Sequence, residues 1–318
     1  MENSGIINDY NSNGYVISES LLNENQIISL RNELDQEFIN HNTQKSVSRL
    51  IFDFKSSELI KKIIMLYTSD FIKKIILKFR DAYQQPISIL PIIEVHKNYH
   101  INLKDTLGWH RDCGGEMDYN YCKNILYKKD YLFSKVGIYL QNNGEYGGSI
   151  DIIKKSHKSF SKSKVLIRKI KNIPLRIVSN LHNFLKNIYL MLPESLFMFL
   201  LNGKKLNPQK GSAVFFDSRL IHRGSPISKK NLGNVNYLKG KHGAILPKAY
   251  DKYSLYCHLG TTEAVDSYMF DRLKREGNGD ELKKWDKQIK LIATYDRSFS
   301  EEINLVFDPI RKKYKDFL

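Results

Sequence analysis

Two stretches of this chain carry side chains whose types and spacing suit a transition metal. Trp109-His110-Arg111-Asp112 sets an imidazole and a carboxylate two residues apart. Phe216-Asp217-Ser218-Arg219-Leu220-Ile221-His222-Arg223-Gly224-Ser225-Pro226 supplies a second imidazole far downstream. Two imidazoles and one carboxylate on one face of an octahedral ion form the ligand set of non-haem Fe(II) oxygenases. Neutral imidazoles bind Fe(II) well, and one carboxylate offsets part of its charge. Three positions then stay open for a chelating oxo-acid and dioxygen.

The spacing fits that use. On an extended segment, side chains i and i+2 point to the same side. His110 and Asp112 can therefore converge on one ion while Arg111 points away. His222 must arrive from another strand, so a long gap is expected. His-x-Asp alone is a weak signal in a chain with nine histidines. His96, His100, His157, His182, His242 and His258 read as surface or core histidines. The same three ligands would also suit a zinc hydrolase.

The elements that must position these residues follow from periodicity. Gly14-Tyr15-Val16-Ile17 reads as a short strand. Ser20 is placed to cap a helix through Ile27, Leu30, Leu34 and Phe38. Ser57 to Phe79 reads as one helical stretch with Leu59, Ile60, Ile63, Ile64, Phe71, Ile72 and Ile75 as its apolar stripe. From Ile87 the pattern becomes β-rich, with strands over 87–97, 134–141, 149–153, 212–217 and 253–259. Short strands between Gly, Asn and Asp turns argue for an antiparallel sandwich or barrel. After Thr261 the chain turns helical and charged to Leu318.

One segment breaks the β region. No acidic residue lies between Asp151 and Glu194, while ten basic residues do, from Lys154 and Lys155 to Arg176 and Lys186. Leu181, Phe184, Leu185, Ile188, Tyr189 and Leu192 share one helical face. The segment reads as a basic amphipathic helical insertion, either packed on the barrel or meeting an anionic surface.

Length and composition bound the rest. The 318 residues are 42% hydrophobic, with 19 Tyr and 16 Phe, enough for a substantial core. The formal charge of +16 suits an anionic partner, and a Lys-rich composition explains it equally. The start at Met1 to Tyr10 lacks a secretory pattern, and no apolar run is long enough to span a bilayer. Three cysteines without CxxC spacing read as free thiols. The expected location is cytoplasmic, with peripheral contact to an anionic membrane through 154–200 as a further expectation. Oligomeric state is not fixed by the sequence.

Taken in order, the motifs resemble the phytanoyl-CoA dioxygenase-like family of Fe(II)/2-oxoglutarate oxygenases. The resemblance starts at Gly14-Tyr15-Val16-Ile17 and runs through Trp109-His110-Arg111-Asp112. It continues with Gly147-Gly148-Ser149-Ile150, Lys155-Ser156-His157-Lys158, Gly211-Ser212-Ala213-Val214-Phe215-Phe216-Asp217 and His222-Arg223-Gly224-Ser225-Pro226. It covers most of residues 10–262. It implies a mostly β core with flanking helices, a double-stranded β-helix of cupin-like jelly-roll type. A single domain over 1–318 is expected: helical over 1–85, jelly roll over about 86–262, a basic helical insertion over about 160–205, and helices over 263–318.

The resemblance also implies Fe(II), 2-oxoglutarate and O2 at His110, Asp112 and His222, and hydroxylation of a substrate with release of succinate and CO2. The carboxylate at Asp112 favours hydroxylation over halogenation, which uses a small residue there. Two departures stand out. The usual Pro-Gly turn is Lys154-Lys155. The family's Arg after the distal histidine, which grips the far carboxylate of 2-oxoglutarate, is missing. Lys252 and Ser254, on one face of the matching strand, are the expected replacement, with Arg223 as second choice. A lysine holds a carboxylate as a point charge, without the fork of Arg. Tyr139 and Gln141 share a face and either hydrogen-bond the oxo-acid or pack inside the barrel. The expected substrate is small, lipid-like or glycan-like, amphiphilic or anionic. A nucleic-acid oxygenase is disfavoured because the basic residues do not interleave with aromatics. A catalytically inactive jelly-roll binding module is the remaining alternative.

Overall fold

The computed structural model describes residues 5–40, 47–51, 56–98, 100–101, 109–112, 131–141, 150–160, 196, 198–199, 201–225, 238–240, 243–245, 252–276 and 279–317. Most of the expected basic insertion, including its apolar helical face, lies outside the described residues.

The N-terminal part contains helix α1 (Gly5–Asn13), strand β1 (Tyr15–Ser20), helix α2 (Glu24–Asn40), strand β2 (Val47–Ile51), and helices α3 (Ser57–Tyr67) and α4 (Asp70–Tyr83). Ser20 does not cap α2. It ends β1, and its hydroxyl donates to the carbonyls of Leu22 and Lys210. Asn23 takes the capping role. Its side-chain oxygen accepts from Gln26 N, and Gln26 Oε1 accepts from Asn23 N, a reciprocal box that satisfies two orphan donors. The single helix expected over 57–79 is two helices. Thr68 and Ser69 interrupt it, with the Thr68 N–H bonded back to Ile64 O. The apolar stripe survives the break, because Leu59, Ile60, Ile63, Ile64, Ile72 and Ile75 are all buried.

The β part contains β3 (Ile87–Asn98), β4 (His100–Ile101), β5 (Phe133–Tyr139), β6 (Ile150–Ile153), β7 (Gly203–Leu206), β8 (Ser212–Asp217), β9 (His222–Gly224), β10 (Leu238–Gly240), β11 (Gly243–Ile245) and β12 (Lys252–Thr261). Gly203–Leu206, inside the expected helical insertion, is thus a strand, and it pairs with β6. Helices α5 (Thr262–Glu276), α6 (Asp280–Tyr295) and α7 (Arg297–Lys313) complete the described chain. No helix among the described residues is long and apolar enough to cross a membrane.

The strands form a six-stranded sheet in the order β1-β8-β5-β12-β3-β2 and a three-stranded sheet in the order β7-β6-β9, all antiparallel. An isolated bridge joins His110 to His222 at the free edge of β9. Followed along the chain, β3, β5, β8 and β12 lie in the large sheet. The His110 segment, β6, β7 and β9 lie in the small one. This winding between two facing sheets is a jelly roll. A further three strands pair antiparallel in the order β10-β11-β4.

Alternation decides what each face buries. Val136 and Ile138 of β5, Ala213 and Phe215 of β8, and Leu255, Cys257 and Leu259 of β12 face the helices and join their large apolar cluster. Their neighbours Tyr139, Val214 and Phe216 face the small sheet and pack with Ile150, Ile152, Leu206 and Leu220. Both faces of the large sheet are therefore covered. That is why β8 is buried at every position and shows no polar alternation in its sequence.

Candidate metal centre

The segment carrying His110 and Asp112 is stitched along residues 218–222. His110 N donates to His222 O at 2.8 Å, and His222 N returns to His110 O at 2.9 Å. Asp112 N donates to Ser218 O at 3.1 Å. Arg111 points away, as expected, and its Nε donates to Arg219 O at 2.8 Å. This register places the side chains of His110, Asp112 and His222 together. One ligand atom from each lies within 4.8 Å of the others. His110 Nε2 is 3.6 Å from Asp112 Oδ1, and His222 Nε2 is 3.5 Å from Asp112 Oδ2.

The donor set is in the form a cation needs. His222 Nδ1 lies 3.0 Å from Leu220 O. A carbonyl only accepts, so Nδ1 carries the proton and Nε2 presents its lone pair to the cluster. Burial, outweighing the pull of Asp112, lowers the His222 pKa to about 4, so the ring is neutral near pH 7. Burial alone would raise the Asp112 carboxyl. Lys135, His222 and His110 together outweigh it and hold the group well below the usual carboxylate range. Asp112 Oδ2 is buried and accepts no hydrogen bond. The Lys135 ammonium, 3.4 Å away, is a countercharge for that oxygen without being a hydrogen-bond donor to it, so a carboxylate lone pair stays available beside His222 Nε2. The residues present therefore fit a divalent metal.

The flanking turn also has a defined conformation. Lys155 has φ of 59°, where the family resemblance places glycine, so a side chain here sits in backbone space that favours none. Ser156 follows, and its hydroxyl accepts from Ile221 N at 2.7 Å, fixing the residue before His222.

The other expected site residues separate into three groups. Lys252 opens β12 and is only 4% exposed. Ser254 is buried beside it on the same face and lies opposite Tyr139 in the ladder. Tyr139 is buried in the space between the sheets, where burial and then the neighbouring Tyr256 hydroxyl raise its pKa well above the ordinary value. Gln141 does not continue that face, because β5 ends at Tyr139 and the Gln141 side chain turns to accept from Tyr253 N at 2.9 Å. Arg223 faces away from the three ligands, since it follows His222 on a strand. Its Nε and Nη2 each lie 2.9 Å from Asp151 Oδ2, and its guanidinium stacks 4.7 Å from the Trp109 ring centre.

No protein-family model matches the chain, and no curated protein matches it. Solved structures of similar shape exist. HygX from Streptomyces hygroscopicus, with nickel and 2-oxoglutarate bound, has a TM-score of 0.48 and 13% identity, over 81% of this chain and 86% of that one. The non-haem, α-ketoglutarate-dependent epimerase SnoN from nogalamycin biosynthesis has a TM-score of 0.45 and 10% identity, over 82% of this chain and 83% of that one. AviO1 from Streptomyces viridochromogenes has a TM-score of 0.43 and 11% identity, over 81% of this chain and 95% of that one.

Sequence reasoning missed Lys135. Its Nζ lies 3.4 Å from Asp112 Oδ2 and 4.6 Å from the centre of the Tyr256 ring. Position was the available signal: Lys135 stands four residues before Tyr139 on one strand, and so on the same face. Gly137, between them, was also unremarked. A Cβ there would come within 2.8 Å of the Tyr256 ring and 3.2 Å of the Tyr139 hydroxyl. Gly137→Ala is expected to displace Tyr256 and to destabilise the fold by about 1–3 kcal/mol, as overpacking does. Urea unfolding of the variant measures this, and an unchanged midpoint would contradict the tight packing.

Proposed function

We propose that the protein is an Fe(II)- and 2-oxoglutarate-dependent oxygenase that hydroxylates a small or amphiphilic substrate, anionic or carbohydrate-containing. The observation that carries this reading is the convergence of two imidazole nitrogens and one carboxylate oxygen within 4.8 Å at the edge of a jelly-roll barrel. The His222 tautomer, the ionised aspartate and the set of two imidazoles with one carboxylate would all suit Fe(II). When bound, Fe(II) with 2-oxoglutarate supplies O2 activation coupled to loss of CO2 and formation of succinate.

The chain's own tasks are to hold and to orient. His110, Asp112 and His222 hold the ion. Lys252 is assigned the far carboxylate of 2-oxoglutarate, with Ser254 and Tyr139 beside it. What supports Lys252 is its cost. Burial lowers its pKa to about 8, and no counter-ion contributes. Among the described residues none pairs with its ammonium, which leaves a buried charge awaiting an anion. The presence of Asp112 supports hydroxylation. The exposed Lys154, Lys155 and Lys158 at the start of the basic segment support an anionic or amphiphilic substrate.

Anaerobic titration with Fe(II) and 2-oxoglutarate tests the class. A weak visible absorption band should develop only with both present, and His110→Ala should lack it. Absence of the band in the native protein would sink the reading.

Lys252→Met gives a second, opposite-signed pair of effects. The folded protein disfavours the ammonium, so between the folded value of about 8 and the unfolded value near 10.5 stability rises with pH. Below pH 8 the penalty is complete. The methionine variant is therefore expected to be more stable at pH 7, by on the order of 3 kcal/mol at most. It should also need at least about tenfold more 2-oxoglutarate, as expected when a charge-assisted contact is lost. Thermal unfolding and equilibrium binding report the two separately. A variant that binds 2-oxoglutarate like the native protein would remove Lys252 from the site.

A further inference from the structure

We propose that Lys135 makes divalent-metal loading of this centre depend on the loading of a carboxylate dianion. The inference rests on the reading of His110, Asp112 and His222 as a metal centre.

Lys135 is held where it can act. It lies on β5, opposite Phe216 of β8 and His258 of β12. Its side chain is 15% exposed, and Asp112 is 13% exposed. The ammonium stands 3.4 Å from Asp112 Oδ2. The Tyr256 ring supports it from below at 4.6 Å. Gly137 lets that ring sit against the strand, since any Cβ there would meet it at 2.8 Å.

A cation this close competes with a metal for the single anionic ligand. Both charges sit in a partly dry site, where salt screens them less than at the surface. With both imidazoles neutral, as metal coordination requires, the three ligands and Lys135 together carry no net charge. A divalent ion adds two positive charges to that group, and a dicarboxylate that chelates the ion offsets them. Lys135 thus weakens binding of the bare ion and strengthens binding of the dianion to the loaded site. The metal and the dianion then bind with positive coupling, and by linkage each tightens the other by the same factor. A lysine that merely braced Asp112 would act in the other direction, because its removal would loosen the carboxylate and weaken metal binding.

The test is calorimetric titration of the full-length protein with Co(II), alone and with saturating 2-oxoglutarate, for the native chain, Lys135→Met and Lys135→Arg. In the native protein 2-oxoglutarate should tighten Co(II) binding by more than about tenfold. In Lys135→Met, Co(II) alone should bind roughly tenfold tighter, and the enhancement by 2-oxoglutarate should shrink. Lys135→Arg, which keeps the charge, should restore both native values. Lys135→Gln provides the same comparison should the methionine variant fail to fold. Binding of Co(II) alone that is unchanged or weaker in a folded, uncharged variant overturns the proposal while leaving the metal centre standing. A native protein that binds no Co(II) under either condition removes the metal centre itself.

Discussion

His222→Ala is expected to lower affinity for divalent metal by more than about a hundredfold while leaving the protein folded. Loss of a residue that only orients a ligand already costs about 10–100-fold, and here the ligand itself is lost. The remaining pair, His110 and Asp112, lies on one short segment whose partner strand would lose its imidazole but keep its backbone. His110 N still finds residue 222 O, and residue 222 N still finds His110 O, because both bonds are main-chain. The segment therefore stays in register, and the loss falls on coordination alone. Near-native far-ultraviolet circular dichroism with absent Co(II) binding is the expected pair of results. Native-like metal affinity in this variant would place the ion elsewhere.

Arg223→Met should have the largest effect on stability, about 3–5 kcal/mol, because it leaves Asp151 as a buried charge without its partner. Asp151 is fully buried and Arg223 is 1% exposed. Ser225 remains as a donor to Asp151 Oδ1, so part of the anion stays satisfied. Burial already pushes the Asp151 carboxyl up from its ordinary value even with Arg223 in place. Without the guanidinium it should protonate more readily still, and the variant should recover part of its loss at low pH. The effect should reach the metal centre as well, since Arg223 stacks on Trp109, which precedes His110. Replacing both partners, as in Arg223→Met with Asp151→Leu, should restore much of the stability. Chemical denaturation of the single and double variants measures this, and additive losses would show that the pair is not coupled.

These two residues show where the sequence was legible. His110 and Asp112 were readable because a strand fixes its side chains by alternation, so two ligands at i and i+2 share a direction whatever the fold. His222 and Arg223 are adjacent in sequence and both were placed in the site, as metal ligand and second-choice anchor. Alternation sends them to opposite faces, yet which face meets the barrel interior depends on the pairing of β9 with β6. That pairing sets Arg223 beside Asp151, whose role as a partner was not foreseen because a lone aspartate in a strand has no periodic signature.

Local chemistry also determined the strands at 87–98, 133–139, 150–153, 212–217 and 252–261 and the helices beyond Thr261, because β-branched runs and 3.6-residue stripes act within a few residues. The split at Thr68-Ser69 and the cap at Asn23 rest on bonds within four residues that apolar spacing does not show, whereas the strand at Gly203–Leu206 was decided by its distant pairing with β6. Lys135 belongs with that strand. By itself it is one lysine among 50 basic residues. Only the curl of two sheets brings its ammonium to Asp112, since electrostatic contact between distant segments is a property of packing and leaves no mark on the spacing along the chain.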